Sequence, residues 1–206
     1  MLLLIKKIKF VKVLLLTAIL LTSINAKQPV LSKNKQNMFV GVSAGYNNLN
    51  SDEVTSINLN SSGYNYIVEL GYISSVYTEI TLNYQKILND DLSLDNYYIT
   101  GNYKFLNETN FTPYLGFSVG YSELSWKKTP VNSNKNDFLS SSYIGGFNFG
   151  VMYKINNDLS LTINYQLQYM NDHKTSINTS TQVNELTHDL SNSFNIGARY
   201  FWKTVK

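Results

Sequence analysis

The two histidines are the side chains of this chain best suited to acid–base or nucleophilic chemistry. Each stands beside an aspartate, in Asp172-His173 and His188-Asp189, with many serines nearby. Histidine, carboxylate and serine together could form a hydrolytic triad. Neighbouring residues of a strand point to opposite faces, however, so adjacency in sequence does not assemble one. Two histidines without cysteine also lack the ligand spacing of a zinc site. We therefore expect solvated loop histidines, with no catalytic residue, metal or cofactor.

A second group with chemical potential consists of charged residues on the polar side of stretches that are otherwise apolar or small: Glu69, Glu79, Lys104 and Arg199. If residues Ile73 to Ser75 form a three-residue turn, Glu69 and Glu79 are nearly opposite each other. Facing carboxylates repel unless cations lie between them, and an arginine fork suits carboxylates. We predict an interior ion-pair network that closes a lumen; a charged constriction in a small pore is the alternative.

The elements that must position these residues are stretches in which every second residue is apolar. In Leu159 to Met170 the alternation is clearest, and it is typical of a strand with one apolar and one polar face. Such strands of about ten residues can cross a bilayer. Eight strands are predicted: Met38–Asn47, Gly63–Tyr72, Val76–Tyr84, Tyr97–Phe105, Phe111–Tyr121, Tyr143–Ile155, Leu159–Met170 and Leu190–Trp202.

The predicted links alternate between short and long. Short links are Ile73–Ser75, Leu106–Asn110 and Asn156–Asp158, and long links are Asn48–Ser62, Lys86–Leu94, Ser122–Ser142 and Asn171–Asp189. Short turns at one end and longer loops at the other are typical of an outer-membrane barrel. Matching the apolar faces across two short turns places Tyr72 opposite Val76 and Ile155 opposite Leu159.

Aromatic residues gather at the strand ends on the apolar face, as in the girdles at a membrane–water boundary. The polar face is rich in glycine and serine, which fit the narrow interior of an eight-stranded barrel. We therefore predict an all-β, eight-stranded antiparallel up-and-down transmembrane β-barrel whose apolar face contacts lipid.

The N-terminal segment is typical of an export signal. Lys6, Lys7, Lys9 and Lys12 precede an apolar run, and small or polar residues lead to Ala26. We predict a signal peptide over residues 1–26, a flexible lead-in over 27–37, the barrel over 38–202 and a tail over 203–206. Without the signal the chain has 13 basic and 14 acidic residues, so its basic character gives no support for nucleic-acid binding. The absence of cysteine excludes disulfides and thiolate metal sites.

With these features the chain resembles the small outer-membrane β-barrels of the OmpA/OmpX type, often grouped as porin-like outer-membrane proteins, over residues 38–202. Its most specific element is the last strand, where Asn195, Gly197, Tyr200 and Trp202 match the C-terminal signal read by the barrel assembly machinery. The four residues that follow Trp202 depart from members that end on the aromatic. The interior charged residues look like the lumen ion pairs of this family.

The resemblance implies a monomer in the bacterial outer membrane, in contact with membrane lipid and lipopolysaccharide. The function we expect is a structural or interaction barrel that presents its loops to an extracellular partner, with at most weak passage of ions or small solutes. One alternative is a lipid A-modifying enzyme using His173 or His188 at the rim. Another is a soluble periplasmic barrel that binds an apolar ligand.

Overall fold

The computed structural model describes residues 38–52, 62–90, 92–127, 139–178 and 183–202, so the predicted signal, lead-in and tail lie outside the described residues. Eight antiparallel strands follow one another around a closed barrel. The predicted all-β up-and-down architecture is confirmed. The strands are β1 Met38–Asp52, β2 Ser62–Ile73, β3 Thr78–Leu88, β4 Leu92–Lys104, β5 Phe111–Trp126, β6 Leu139–Lys154, β7 Leu159–Asn178 and β8 Val183–Trp202.

The pairing register tilts the strands around the barrel. Partners followed from Phe39 through each strand in turn lead back to β1 at Leu49, ten residues further along the same strand. Such a stagger is required to close a twisted sheet, and eight strands leave an interior that side chains can fill. The seam joins β1 to β8, where Met38 is paired with Trp202.

The turn between β2 and β3 differs from the prediction. The backbone N–H groups of Tyr77 and Thr78 donate to Ser75 Oγ at 3.1 and 3.0 Å, which makes the turn longer than three residues. Tyr72 therefore pairs with Ile80 and not with Val76, and β3 begins at Thr78. The predicted opposition of Glu69 and Glu79 is also wrong, since Glu69 pairs with Asn83 and Glu79 with Ile73. The shift is an even number of residues, so each side chain keeps its predicted face.

At the short turn between β6 and β7, the backbone N–H of Ile155 donates to the carbonyl of Leu159 at 3.1 Å, as expected for opposed residues. Phe105 and Ile155 lie one residue beyond the ends of β4 and β6, although the prediction included them in the strands.

At the opposite end the strands run further than predicted. The long link predicted over Lys86–Leu94 is wrong, because β3 continues to Leu88 and β4 resumes at Leu92. The other long links shorten to residues 53–61, 127–138 and 179–182. The strict alternation of short and long links therefore does not hold.

The predicted ends were too early because the apolar alternation changes phase there. In β1, Val42 and Tyr46 point outward, but further along the strand Leu49 points inward and is buried between the exposed Asn48 and Asn50. In β3 and β5 the same inversion follows an outward tyrosine. We call the strand segments beyond these tyrosines the outer collar; it includes residues 47–52, 85–88, 92–96 and 122–126.

No helix among the described residues is long and apolar enough to cross a membrane.

Candidate functional site

The four predicted charged residues lie together inside the barrel, near the short turns. Arg199 Nε and Nη2 donate to the two carboxylate oxygens of Glu69 at 2.6 and 2.9 Å, and Nη1 donates to Glu79 Oε1 at 2.7 Å. Lys104 Nζ lies 3.6 Å from Glu79 Oε2. Although the two glutamates are not cross-strand partners, the arginine brings them together from β2 and β3. We call these four residues the ion cluster.

The ion cluster is packed on its turn side by aromatic rings. Arg199 Cζ lies 4.7 Å from the ring centroid of Phe39 and 5.6 Å from that of Tyr114, at distances typical of cation–π contacts. Phe39 packs in turn on Phe201, with ring centroids 5.1 Å apart. The rings therefore cover the guanidinium on the side where the barrel opens to the short turns.

A glycine and an amide complete the surroundings of the two carboxylates. A Cβ on Gly41 would overlap the carboxylate of Glu69, so only glycine leaves room for that side chain to lie across β1. Asn102 Nδ2 donates to Glu79 Oε1 at 3.2 Å. Buried charges are tolerated when they are paired and hydrogen-bonded. Three of the four carboxylate oxygens meet both conditions, whereas the buried Glu79 Oε2 has Lys104 as its ion-pair partner but no hydrogen bond.

Where the collar meets the membrane belt, the interior is crossed by a hydrogen-bonded set of amide and hydroxyl side chains that the sequence analysis did not single out. Asn47 Nδ2 donates to Ser191 and Ser193 at 2.7 Å each. Asn96 Nδ2 donates to Gln85 and Gln168 at 3.2 and 3.3 Å, and Ser122 Oγ donates to Asn96 at 2.6 Å. We call this set the amide layer: Asn47, Gln85, Asn96, Ser122, Gln168, Ser191 and Ser193.

The collar itself is filled by apolar side chains, which the sequence analysis also missed. We call this cluster the apolar plug; its members come from β1 and β3 to β7 and are Leu49, Ile87, Leu92, Leu94, Tyr98, Leu124, Ile144 and Met170. Each is less than 5% exposed, and Trp126 packs against the cluster. Burying this much apolar surface inside the barrel is favourable only where water surrounds the outer face.

Between the amide layer and the ion cluster lies a cavity of about 20 Å³, lined by polar residues that include Asn83, Thr100, Asn148 and Arg199. This is little more than the volume that one water molecule needs. Within the described residues, the interior therefore has four fillings in series: the aromatic rings, the ion cluster, the amide layer and the apolar plug.

The four residues matching the assembly signal divide between the two faces of β8. Asn195 points inward and donates to Asn164 Oδ1 at 3.0 Å. A Cβ on Gly197 would lie 2.5 Å from the Cβ of Ser43, so glycine permits the close approach of β8 to β1 at the seam. Tyr200 points outward and is 54% exposed, and Trp202 is the last residue of the strand.

His173 and His188 are paired in the ladder of β7 and β8, and His188 is also paired with Ser51 of β1. They therefore belong to strands and not to the predicted loop. In the part of the chain with described side chains, no group of three or more His, Cys, Asp or Glu residues could hold a metal ion.

The outer face is apolar where the sequence predicts contact with lipid. Phe147, Leu161 and Ile163 are 58%, 43% and 49% exposed, whereas Arg199 is 3% exposed. Tyrosine pairs such as Tyr84–Tyr97, with ring centroids 5.2 Å apart, mark the collar side of this belt. Phe111–Tyr153, at 4.7 Å, lies at the opposite edge. Two aromatic edges around an apolar band are the surface expected of a barrel in a bilayer.

Comparisons with known proteins agree with this surface. No protein-family model matches the chain. Outer membrane protein PagN of Salmonella typhimurium is 29% identical over 125 residues, which are 55% of this chain and 52% of PagN. The match thus spans about half the length of that relative.

Solved structures share the fold. Neisserial surface protein A superposes with a TM-score of 0.62 at 20% identity, covering 80% of this chain and 97% of that one. The N-terminal barrel of OprF from Pseudomonas aeruginosa gives 0.52 at 13% identity, covering 81% and 98%. Fold, outward apolar belt and relatives together place this chain in the bacterial outer membrane, as an eight-stranded β-barrel that is similar to the small outer-membrane barrels of the OmpA/OmpX type.

Proposed function

We propose that this barrel is a closed, monomeric outer-membrane scaffold whose role is to present the collar and its connecting segments at the cell surface. The observation that carries the proposal is the filled interior. Four successive fillings occupy the interior within the described residues, and the cavity between the ion cluster and the amide layer, at about 20 Å³, is too small for a hydrated ion. A pore of the same strand number would need a continuous wet path.

The ion cluster supports closure and not conduction. A selective constriction presents charge of one sign to a lumen. Here the two carboxylates face two cations, and the guanidinium uses three of its donor positions on them. The charges of the ion cluster therefore compensate one another and leave little electrostatic attraction for a passing ion.

Electrical recording in planar bilayers tests closure. We expect the refolded protein to give no steady conductance steps above those of a protein-free bilayer, while a general porin inserted in the same way conducts. Heat-dependent mobility on gels must first show that the recorded sample is folded. A persistent open level would overturn the closed scaffold and favour weak solute passage.

Surface presentation follows from the collar. β7 and β8 pair as far as Asn178 and Val183, with one shift of register between Tyr169 and His173, and β1 accompanies β8 as far as Asp52. The connecting segments 53–61 and 179–182 begin from these extended strands, and the segment 127–138 joins β5 to β6. An extracellular partner bound there is our proposal for the interactive role, together with lipid and lipopolysaccharide around the belt.

Neither alternative function has a specific observation in its favour. A soluble carrier of an apolar ligand needs an apolar cavity, whereas the interior space is small and polar and the apolar side chains of the belt point outward. A lipid A-modifying enzyme needs a nucleophile and a base in hydrogen-bond reach. For His173 and His188 the structure describes the backbone pairing across β7 and β8 and not the side chains.

A further inference from the structure

A groove lies in the apolar belt, in the half of the barrel that carries the turns from β2 to β3, β4 to β5 and β6 to β7. Its volume is about 440 Å³, and its walls are formed by Ile80, Tyr103, Leu115, Phe117 and Phe147. Each of these side chains is 44–58% exposed on the outer face of the barrel. The groove is therefore part of the surface that contacts the membrane. Glu79 and Asn102, whose side chains belong to the interior, also border it.

The depth of the groove is caused by a missing side chain. Gly101 of β4 is paired with Ile80 on one side and Phe117 on the other, and the alternation of β4 turns it outward. A Cβ at Gly101 would have no atom within 4 Å. Glycine weakens a strand and often marks a place where another molecule approaches closely. Here it leaves a gap between two bulky apolar neighbours.

The surroundings select the occupant. Water in an apolar groove inside the hydrocarbon layer would lose hydrogen bonds. We therefore expect hydrocarbon to fill the groove. The gap is one residue wide, which fits a slender acyl chain better than the broad, convex face of a second barrel. At the turn end of the groove lie the hydroxyls of Ser74 and Thr78, 2.8 Å apart, where a lipid headgroup would meet polar atoms.

We propose that the groove is a binding site for one acyl chain of a phospholipid in the leaflet on the short-turn side, with its headgroup at Ser74 and Thr78. In outer-membrane barrels that side faces the periplasm. The chain would lie along Gly101, between Ile80 and Phe117. The site would distinguish one retained lipid from the freely exchanging lipids around the rest of the belt.

Native mass spectrometry of the folded barrel, released from vesicles of phosphatidylethanolamine and phosphatidylglycerol, tests the site. We expect the wild-type barrel to retain one phospholipid. In Gly101→Leu the retained fraction should fall by about tenfold, the factor expected for roughly two methylenes losing their contact. Gly145→Leu is the matched control, because Gly145 also has no atom within 4 Å of its Cβ position but does not line the groove.

Equal retention by the wild-type and Gly101→Leu barrels, or equal loss in Gly145→Leu, would overturn the proposal. A wild-type dimer that Gly101→Leu abolishes would instead assign the groove to a second copy. A second measurement uses the wild-type chain, so that the proposal stays testable even if Gly101→Leu does not fold. A phospholipid carrying a photoreactive acyl chain should label Ile80, Phe117 and Phe147 preferentially, and even labelling around the belt would contradict the site.

Discussion

At the scale of single residues, Arg199 determines whether the two interior glutamates can both stay charged. Arg199 is 3% exposed and its guanidinium bonds both carboxylates, while Lys104 approaches only Glu79. Removing one partner of a buried ion pair leaves an uncompensated charge, which costs far more than the pair itself contributes.

Arg199→Met should therefore lower the free energy of unfolding by about 3–5 kcal/mol. Urea titration of the barrel folded in lipid vesicles measures the loss. Adding Glu69→Gln to the same chain should recover part of the stability, because the orphaned charge of Glu69 is then absent while Glu79 keeps Lys104 as its partner.

The matched control is Lys86→Met, which removes a cation from a pair that water reaches. Lys86 Nζ lies 2.9 Å from Asp95, and both side chains are partly exposed. Such pairs contribute about 0–1 kcal/mol. If Arg199→Met costs no more than Lys86→Met, the ion cluster does not stabilise the barrel.

At the scale of elements, β8 has two tasks: it closes the seam with β1, and we propose that its end is read by the barrel assembly machinery. The first task depends on Gly197 and on pairing, both of which are internal. The second would depend on the outward Tyr200 and the terminal Trp202, which contribute little to the interior.

A double substitution, Tyr200→Ala with Trp202→Ala, should separate these tasks. We expect the purified variant to fold in vesicles, but the amount of folded barrel in the outer membrane of cells should fall several-fold. Heat-modifiable gel mobility is the readout in both settings. Tyr103→Ala with Tyr153→Ala removes outward aromatics from the same edge of the belt and serves as the control. Equal losses in the two variants would remove the assembly role.

How far the sequence predicts the strands depends on which solvent surrounds them. Within the bilayer the rule of apolar outside and polar inside holds from Val42 to Tyr46 or from Leu159 to Tyr169, and the strands were predicted correctly. Beyond the tyrosines the outer face meets water, and apolar residues such as Leu49 and Leu124 point inward. A prediction that requires apolar residues to stay on the outer face throughout therefore ends the strand at the tyrosine.

The site was foreseeable in composition but not in register. Arg199 and the glutamates could be placed inside by alternation alone. Their bonds depend on side-chain reach across strands that do not face each other directly, and on a turn whose length Ser75 changes through two hydrogen bonds. The amide layer was not foreseeable as a network, because asparagines and glutamines on a polar face look the same whether solvated or bonded.

At the scale of the whole molecule, the cost of placing a charge on the outer surface should depend on its depth in the hydrocarbon layer. Ile163 lies near the middle of the belt, whereas Leu88 is at the collar end of β3. An arginine facing lipid costs about 2–4 kcal/mol at the midplane and about 0–1 kcal/mol near the boundary.

Ile163→Arg should accordingly lower the free energy of unfolding in vesicles by several times more than Leu88→Arg. Both variants add the same charge to an outward position, so the difference measures depth alone. Similar costs at the two positions would show that the belt is not immersed as we describe.

Because the apolar alternation inverts at the tyrosines, the collar has an apolar core of its own. It is built like a small water-soluble protein that adjoins the membrane-spanning part. The connecting segments that we propose for surface presentation are joined to the collar, with its apolar plug, and not directly to the membrane-spanning part. Replacing residues 53–61 or 127–138 with a foreign sequence should therefore leave the membrane-spanning part folded. The connecting segments could then diversify in sequence while the membrane-spanning part stays the same.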